Sequence, residues 1–307
     1  MKAFSLSPGG LLLPYHLGAL QSLMESGALQ PTSDIVGGSS AGSIAAMSYG
    51  CGLKPTDILE ATIKVSDQCH DLKRARGNLL PLLRHEMETR VGPEEFDFLM
   101  TSAEEGGGGR RIGIAYKEIF PQRKSYLQCD FESRQDLFQS VSYSCMFPFF
   151  ATNYPCMMDS SSFPPRLMVD GFFSVPRARF GCPDFEPYLG DPKGQEQEDD
   201  GGTVVNGKEN NKKPDRTIAI SVFPKDMIGM EAFSDDNCIS PSIITEEDSN
   251  QLSVTDMFRI ATQASSREEL TQVYEMGARD AEAWCRREEQ RKSRVDHTEA
   301  TIKLDSI

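Results

Sequence analysis

The stretch Asp34-Ile35-Val36-Gly37-Gly38-Ser39-Ser40-Ala41-Gly42 decides how this sequence can fold. Residues 34–36 predict a short buried strand, the small residues around Ser40 predict a tight turn, and residues 41–49 predict a helix. The turn fits the pattern G-x-S-x-G, with Gly38 and Gly42 at its two glycine positions. A serine on a sharp turn between a strand and a helix is typical of a nucleophile elbow.

The elbow has a steric and an electrostatic basis. A serine held there has strained backbone angles, and its glycine neighbours are needed because a Cβ would collide with the turn. The first N–H groups of the following helix favour negative charge that develops beside Ser40. The same short pattern also fits a glycine-rich strand–helix loop without catalysis, but the apolar strand before it and the helix after it favour the elbow.

Strands and helices alternate on both sides of this turn. Residues 2–7 predict a strand that ends at Pro8-Gly9-Gly10, and residues 15–25 predict a helix. Further helices are predicted at residues 55–74, 79–88, 94–102, 137–145, 254–264 and 267–292, and further strands at residues 111–119, 124–131, 167–170 and 217–223. Alternation of this kind predicts an α/β layered fold with a largely parallel sheet.

Composition limits the possible partners. The formal net charge is −14, which argues against nucleic-acid binding and against polybasic adhesion to membranes. Contact with lipid should therefore be apolar. No apolar run approaches the roughly 20 residues that cross a bilayer, and we expect no signal peptide. The eight cysteines contain no CxxC pair, which indicates reduced thiols, an intracellular location and no metal site.

We expect one domain over residues 1–285. Residues 191–215 are rich in Gly, Asp, Glu, Asn and Lys and lack large apolar side chains, so a disordered insert is predicted there. Four consecutive glycines at residues 106–109 predict a surface loop. Residues 286–307 are predicted to form a charged C-terminal tail.

The histidines restrict the choice of base for Ser40. The chain has only four of them, and a Ser, Asp, His order would require His297, which lies in the charged tail. A Ser-His-Asp triad is therefore not favoured. His16 falls on the first predicted helix and is interpreted as a packing residue.

Three separate segments resemble the patatin-like phospholipase family. They are Ser5-Leu6-Ser7-Pro8-Gly9-Gly10-Leu11-Leu12-Leu13-Pro14-Tyr15-His16-Leu17-Gly18, the elbow around Ser40, and Asp170-Gly171-Phe172 with Ser174 and Pro176 after it. The segments Tyr15-His16-Leu17-Gly18 and Ala219-Ile220-Ser221-Val222-Phe223-Pro224 are similar to the adipose-triglyceride-lipase-like branch. The resemblance implies a three-layer fold with a largely parallel central sheet between helices.

The resemblance also implies a catalytic Ser-Asp dyad of Ser40 and Asp170, in which the carboxylate takes the serine proton directly. Partial burial would raise the proton affinity of that carboxylate toward the working pH. Taken without the family, Asp170-Gly171 also fits an ordinary turn. The oxyanion hole would be formed by the N–H groups of Gly9, Gly10 and Leu11, although Pro8 and Leu13 stand where the family often has glycine and the basic residue of many members is missing.

The implied reaction is hydrolysis of fatty acyl esters of glycerolipids: triacylglycerol, phospholipid or galactolipid. No cofactor is expected, and the implied partner is a lipid droplet or membrane surface. Residues 144–150 either line an acyl channel or belong to the core, whereas Leu11, Leu12 and Leu13 are predicted to contact the lipid interface. Two alternatives stay open, a transacylase that uses the same acyl-serine and a non-catalytic protein that binds lipid surfaces.

Overall fold

A central sheet flanked by helices forms the framework of the protein. The structure is a computed structural model, and it describes residues 1–73, 75–104, 110–186, 203–206, 214–242 and 252–305. The strands are β1 (Lys2–Leu6), β2 (Ile35–Gly38), β3 (Arg111–Phe120), β4 (Ser125–Gln128), β5 (Met157–Asp159), β6 (Arg166–Val169), β7 (Thr203–Asn206), β8 (Arg216–Ile220) and β9 (Cys238–Ile239).

The strands are ordered β5-β6-β3-β2-β1-β8-β9, and β4 pairs with both β3 and β7. β1 lies at the centre, parallel to β2 and β8, while β3 runs parallel to β2 and β9 parallel to β8. The antiparallel pairs are β3 with β4, β3 with β6, and β5 with β6. The predicted α/β fold with a mostly parallel central sheet is therefore confirmed.

Most helices begin and end within a few residues of the predicted positions, except for an unpredicted short helix at residues 225–228 and a last helix that extends past residue 292. They are α1 (Leu13–Glu25), α2 (Ala41–Gly50), α3 (Pro55–Asp71), α4 (Leu79–Arg90), α5 (Pro93–Glu104), α6 (Arg134–Ser144), α7 (Lys225–Ile228), α8 (Val254–Thr262) and α9 (Arg267–Asp305). Ser133 caps α6, since its side chain accepts a hydrogen bond from the Asp136 N–H. α9 continues to Asp305, so helical backbone occupies most of the predicted charged tail.

Most of the predicted insert at residues 191–215 lies outside the described residues. The part that is described includes β7, which runs parallel to β4, and residues 214–215, which lead into β8. The four glycines at residues 106–109 also lie outside the described residues.

Two glycines bring α1 and α9 together on one side of the sheet. A Cβ on Gly18 would collide with the Tyr274 carbonyl oxygen, and a Cβ on Gly277 would collide with the Tyr15 carbonyl oxygen. At the same crossing the Tyr15 hydroxyl donates a 2.7 Å hydrogen bond to the Asp280 carboxylate. One large apolar cluster extends from the sheet through α1 into α9.

In the described ranges, no helix combines the length and apolar character that crossing a bilayer requires.

Candidate active site

Ser40 stands at the junction of β2 and α2 with unusual backbone angles. Its φ is +53° and its ψ is −121°, a conformation that costs energy for a residue with a Cβ. The predicted glycines permit this turn. A Cβ on Gly38 would collide with the backbone of Gly42, and a Cβ on Gly42 would lie 2.7 Å from the Leu6 carbonyl oxygen. The predicted strand–turn–helix around Ser40 is therefore present.

Neighbouring serines hold the backbone of Ser40. Its N–H donates a 2.9 Å hydrogen bond to the Ser144 Oγ at the end of α6. Its carbonyl oxygen accepts a 2.6 Å hydrogen bond from the Ser43 hydroxyl. The residue itself is half-buried, so the backbone is fixed while the side chain retains access to solvent.

Asp170 follows β6 and is fully buried. Its N–H donates a 2.9 Å hydrogen bond to the Met146 carbonyl oxygen, and its Oδ1 accepts a 2.8 Å hydrogen bond from the Phe172 N–H. Gly171 allows the acid to approach the elbow, because a Cβ there would lie 2.8 Å from the Cβ of Ser39. The loop after β6 is thus packed directly against the residue that precedes Ser40.

The carboxyl of Asp170 lies beside the Ser40 hydroxyl. Burial raises the pKa of Asp170 to about 7, and hydrogen bonding from the Phe172 N–H and the Ser40 side chain opposes the rise. The second oxygen, Oδ2, is buried without a hydrogen bond that meets normal distance and angle limits. The two observations together describe a serine within reach of the acid but without a fully formed hydrogen bond. Long contacts of this kind are common in active sites without substrate.

The glycine loop, defined as Gly9, Gly10 and Leu11, lies next to the elbow. Gly10 has a φ of +56°, and a Cβ on it would collide with the Ala261 carbonyl oxygen. A Cβ on Gly9 would lie 2.9 Å from Val222. The short helical turn that begins at Gly10 contacts α2. The backbone of the predicted oxyanion-hole residues therefore lies beside the helix that begins after Ser40.

His16 contacts the chain just before the glycine loop. The side chain is fully buried, and its Nε2 lies 2.7 Å from the Ser7 carbonyl oxygen. Because a carbonyl oxygen only accepts, Nε2 carries the proton. Burial lowers the pKa of His16 to about 4, which keeps the ring neutral near neutrality. The interpretation of His16 as a packing residue is confirmed.

The prediction for Leu11, Leu12 and Leu13 as a lipid contact is wrong. All three side chains are buried in the apolar core, because the chain turns into α1 at this point and directs them inward. Residues 144–150 were predicted either to line an acyl channel or to belong to the core, and they are partly buried and partly exposed. Residues 144–146 are buried, whereas Phe147 and Phe149 are exposed.

Two residues that orient the site were not predicted from the sequence, because neither belongs to a motif. Ser144 holds the N–H of Ser40, and the Ser39 hydroxyl donates a 2.5 Å hydrogen bond to the Gly181 carbonyl oxygen. Isolated serines occur throughout the chain, so no pattern singles these two out. Among the described residues, no group of three or more His, Cys, Asp or Glu side chains is arranged to hold a metal ion.

A known family model matches the part of the chain that contains the candidate site. The family model described as "Patatin-like phospholipase" matches residues 4–178, a range that contains the glycine loop, the elbow and Asp170. The chain belongs to the patatin-like phospholipase family. Membership supports a lipid hydrolase activity for this patatin-like protein. No curated protein matches the chain in sequence.

Solved structures with a similar outline include two bacterial proteins. VipD from Legionella pneumophila shares 9% identity at a TM-score of 0.40, over 92% of this patatin-like chain and 67% of VipD. ExoU, in the ExoU–SpcU complex of the type III secretion system of Pseudomonas aeruginosa, shares 15% identity at a TM-score of 0.43. That match covers 94% of this chain and 51% of ExoU, so this chain spans about half the length of ExoU.

Proposed function

We propose that this protein is a serine acyl hydrolase that cleaves fatty acyl esters of glycerolipids with a Ser40–Asp170 dyad. The observation that carries the proposal is the Ser40 side chain beside a fully buried carboxyl whose pKa is raised to about 7. A base with a pKa near neutrality can both accept and return a proton there. Family membership supports the reaction class.

The reaction begins when the Asp170 carboxylate takes the Ser40 proton and the Ser40 Oγ bonds to the ester carbonyl carbon. The N–H groups of Gly10 and Leu11, with that of Gly9, stabilise the negative charge on the former carbonyl oxygen. Collapse of this intermediate breaks the bond to the alcohol, which leaves with the proton from Asp170. An acyl-Ser40 ester remains.

Water completes the cycle in the hydrolase. Asp170 accepts a proton from water, the water oxygen attacks the acyl carbon, and the fatty acid leaves as Ser40 regains its proton. If a lipid alcohol takes the place of water, the same acyl-Ser40 gives the transacylase product. The products therefore separate the two reactions.

We place the substrate among triacylglycerol, phospholipid and galactolipid, with a lipid droplet or membrane surface as the working partner. The segments Tyr15-His16-Leu17-Gly18 and Ala219-Ile220-Ser221-Val222-Phe223-Pro224 support an assignment to the adipose-triglyceride-lipase-like branch. Both segments border the glycine loop, since the His16 Nε2 lies 2.7 Å from the Ser7 carbonyl oxygen and Val222 packs against Gly9.

The test incubates the purified protein with a panel of these lipids and identifies the released fatty acid and any transferred acyl product. We expect Ser40→Ala and Asp170→Asn to abolish turnover while leaving the fold intact. Ser48→Ala is the matched control, because Ser48 is a buried serine of α2 whose hydroxyl only binds the Ile44 carbonyl oxygen. Substantial residual turnover in Ser40→Ala or Asp170→Asn would contradict the dyad.

A further inference from the structure

A continuous chain of aromatic rings passes beside Asp170. Phe147 stacks on Phe173 with ring centroids 5.5 Å apart, and Phe172 contacts Phe173 at 5.2 Å. The chain continues from Phe172 to Phe180 at 5.4 Å and from Phe180 to Phe223 at 6.1 Å. It starts just after α6, crosses the loop of the proposed base and reaches the segment after β8.

The last ring of this chain belongs to α8. Phe258 stacks on Phe223 with centroids 4.5 Å apart, on the helix whose Ala261 packs against Gly10. Four chain segments near the proposed site therefore contribute to one aromatic structure. The arrangement connects the loop of the acid to the helix that supports the glycine loop.

Part of this structure is exposed, and we define the aromatic face as Phe147, Phe149, Phe173 and Phe258. Three of these rings belong to the aromatic chain, and Phe149 lies two residues after Phe147. In the order named, the four side chains are 39%, 51%, 38% and 48% exposed. Single exposed apolar residues are ordinary, but several on one rim indicate an interaction surface. Because Phe173 stands in the same short loop as Asp170, a molecule that covers the face lies near the proposed base.

A cleft with cationic side chains adjoins the aromatic face. This basic cleft has a volume of about 730 Å³ and lies between the C-terminal end of α3 and the end of α8. Its charged lining residues are Lys73 and Arg76, opposed by Asp71, with His70 beside them. The Arg76 Nε donates a 2.7 Å hydrogen bond to the Phe149 carbonyl oxygen, which ties the cleft to the face.

The cleft also lies close to the proposed oxyanion hole. Leu11 of the glycine loop packs in one apolar cluster with Ala75, and Phe150 and Ala264 lie against that cluster. Ala75 and Ala264 line the cleft as well. Aromatic face, basic cleft and glycine loop therefore share one side of the molecule.

We propose that the aromatic face and the basic cleft together form the docking surface for an anionic phospholipid layer. The aromatic rings enter the boundary between headgroups and acyl chains, while Lys73 and Arg76 meet the phosphate groups. The occupant follows from local chemistry, because exposed aromatic rings and the cationic Lys73 and Arg76 stand side by side, and a phospholipid layer offers apolar chains beside anionic phosphates. This proposal rests on the proposed function, since it supplies the route by which a glycerolipid reaches Ser40.

The experiment measures binding to vesicles and uses Ser40→Ala protein, so that turnover does not alter the lipid. Vesicles of phosphatidylcholine alone are compared with vesicles that also contain phosphatidylglycerol, and bound protein is quantified by sedimentation. We expect tighter binding to the anionic vesicles. On these vesicles we expect Lys73→Gln and Phe149→Ser each to weaken binding by about five-fold.

Each substitution has a matched control. Lys54→Gln removes an exposed lysine from the opposite end of α3, roughly 25 Å away along a helix of this length. Phe163→Ser removes a phenylalanine that is 99% exposed and that lies in the connection between β5 and β6, outside the aromatic face. Both controls are expected to bind like their parent.

The proposal is overturned if anionic vesicles do not bind the protein, or if Lys73→Gln and Phe149→Ser bind as tightly as their parent. Equal losses in Lys54→Gln and Phe163→Ser would overturn it as well, because the loss would then be unrelated to this surface. Hydrolysis of a water-soluble short-chain ester by the unsubstituted protein is measured separately. A failure of the proposed function appears in that assay alone, and a failure of the docking surface appears in vesicle binding alone.

Discussion

Asp170 determines how turnover should respond to pH. The proposed base works only as a carboxylate, and burial raises its pKa to about 7. We expect kcat/KM for a water-soluble ester to be low in acid and to rise as pH increases through about 7. A pH–rate profile measured on unsubstituted protein checks this. A profile that is already flat in mild acid would show that another group serves as the base.

The same raised pKa has a consequence for stability. As pH rises from the ordinary value of 3.8 toward about 7, the unfolded chain loses the Asp170 proton while the folded protein keeps it. The unfolded state then binds fewer protons, so the free energy of unfolding falls across this window. We expect Asp170→Asn to be more stable than the parent above neutrality, by roughly 1 to 4 kcal/mol, and no more stable near pH 3.8. Urea denaturation at both pH values measures the difference.

Ser144 is expected to act as a positioning residue. Its Oγ accepts the N–H of Ser40, and losing an acceptor for a partly buried N–H costs about 1–3 kcal/mol. We expect Ser144→Ala to lower kcat about ten-fold with little change in KM, because the side chain orients the nucleophile. Ser142→Ala is the control, since that buried hydroxyl bonds only within α6, to the Phe138 carbonyl oxygen. Equal effects in both variants would contradict the assignment.

At the scale of secondary-structure elements, the crossing of α1 and α9 depends on glycine. A methyl group at Gly18 has no room against the Tyr274 carbonyl oxygen, so Gly18→Ala has to push the helices apart. We expect a loss of about 1–3 kcal/mol in the free energy of unfolding, measured by urea denaturation. Gly92→Ala is the matched control because the group nearest to its Cβ is the mobile end of the Glu95 side chain. A loss of the same size in Gly92→Ala would show that the helix crossing does not cause the loss of stability in Gly18→Ala.

The elements also show what the sequence could predict. β1, β2, α2 and α6 were predictable because each combines an apolar pattern with a turn or a cap at its boundary. β5 and β9 were not, since strands of three and two residues are too short to show a period. Their pairing depends on β6 and β8 offering free edges, which is a property of the assembled sheet.

The site residues also divide into those that the sequence could predict and those that it could not. Ser40, Asp170 and the glycine loop stand in recognisable segments, and the structure brings these segments together, although their catalytic roles stay predictions. The error at Leu11–Leu13 arose because an apolar triple beside a loop was expected to face outward. The chain enters a helix there, and those side chains pack into the core. The roles of Ser144 and the basic cleft depend on contacts between distant segments, which no local pattern encodes.

At the scale of the whole molecule, we expect residues 1–285 to unfold as one unit. Trp284 is the only tryptophan, it is buried in α9, and its Nε1 donates a 2.8 Å hydrogen bond to the Asp236 carbonyl oxygen. Its fluorescence therefore reports on the docking of the C-terminal helix. In urea, the fluorescence transition and the far-UV circular dichroism transition should coincide. An earlier change in fluorescence would indicate that α9 detaches from the rest.

The position of β1 in the sheet has a consequence during synthesis. β1 leaves the ribosome well before its partner β8, in which Arg216 pairs with Lys2. Until then one edge of β1 has no strand beside it, and α1 lacks the cover that α9 provides. A nascent chain in this condition exposes apolar surface and an open strand edge, so its yield in cells should depend on chaperones that shield both.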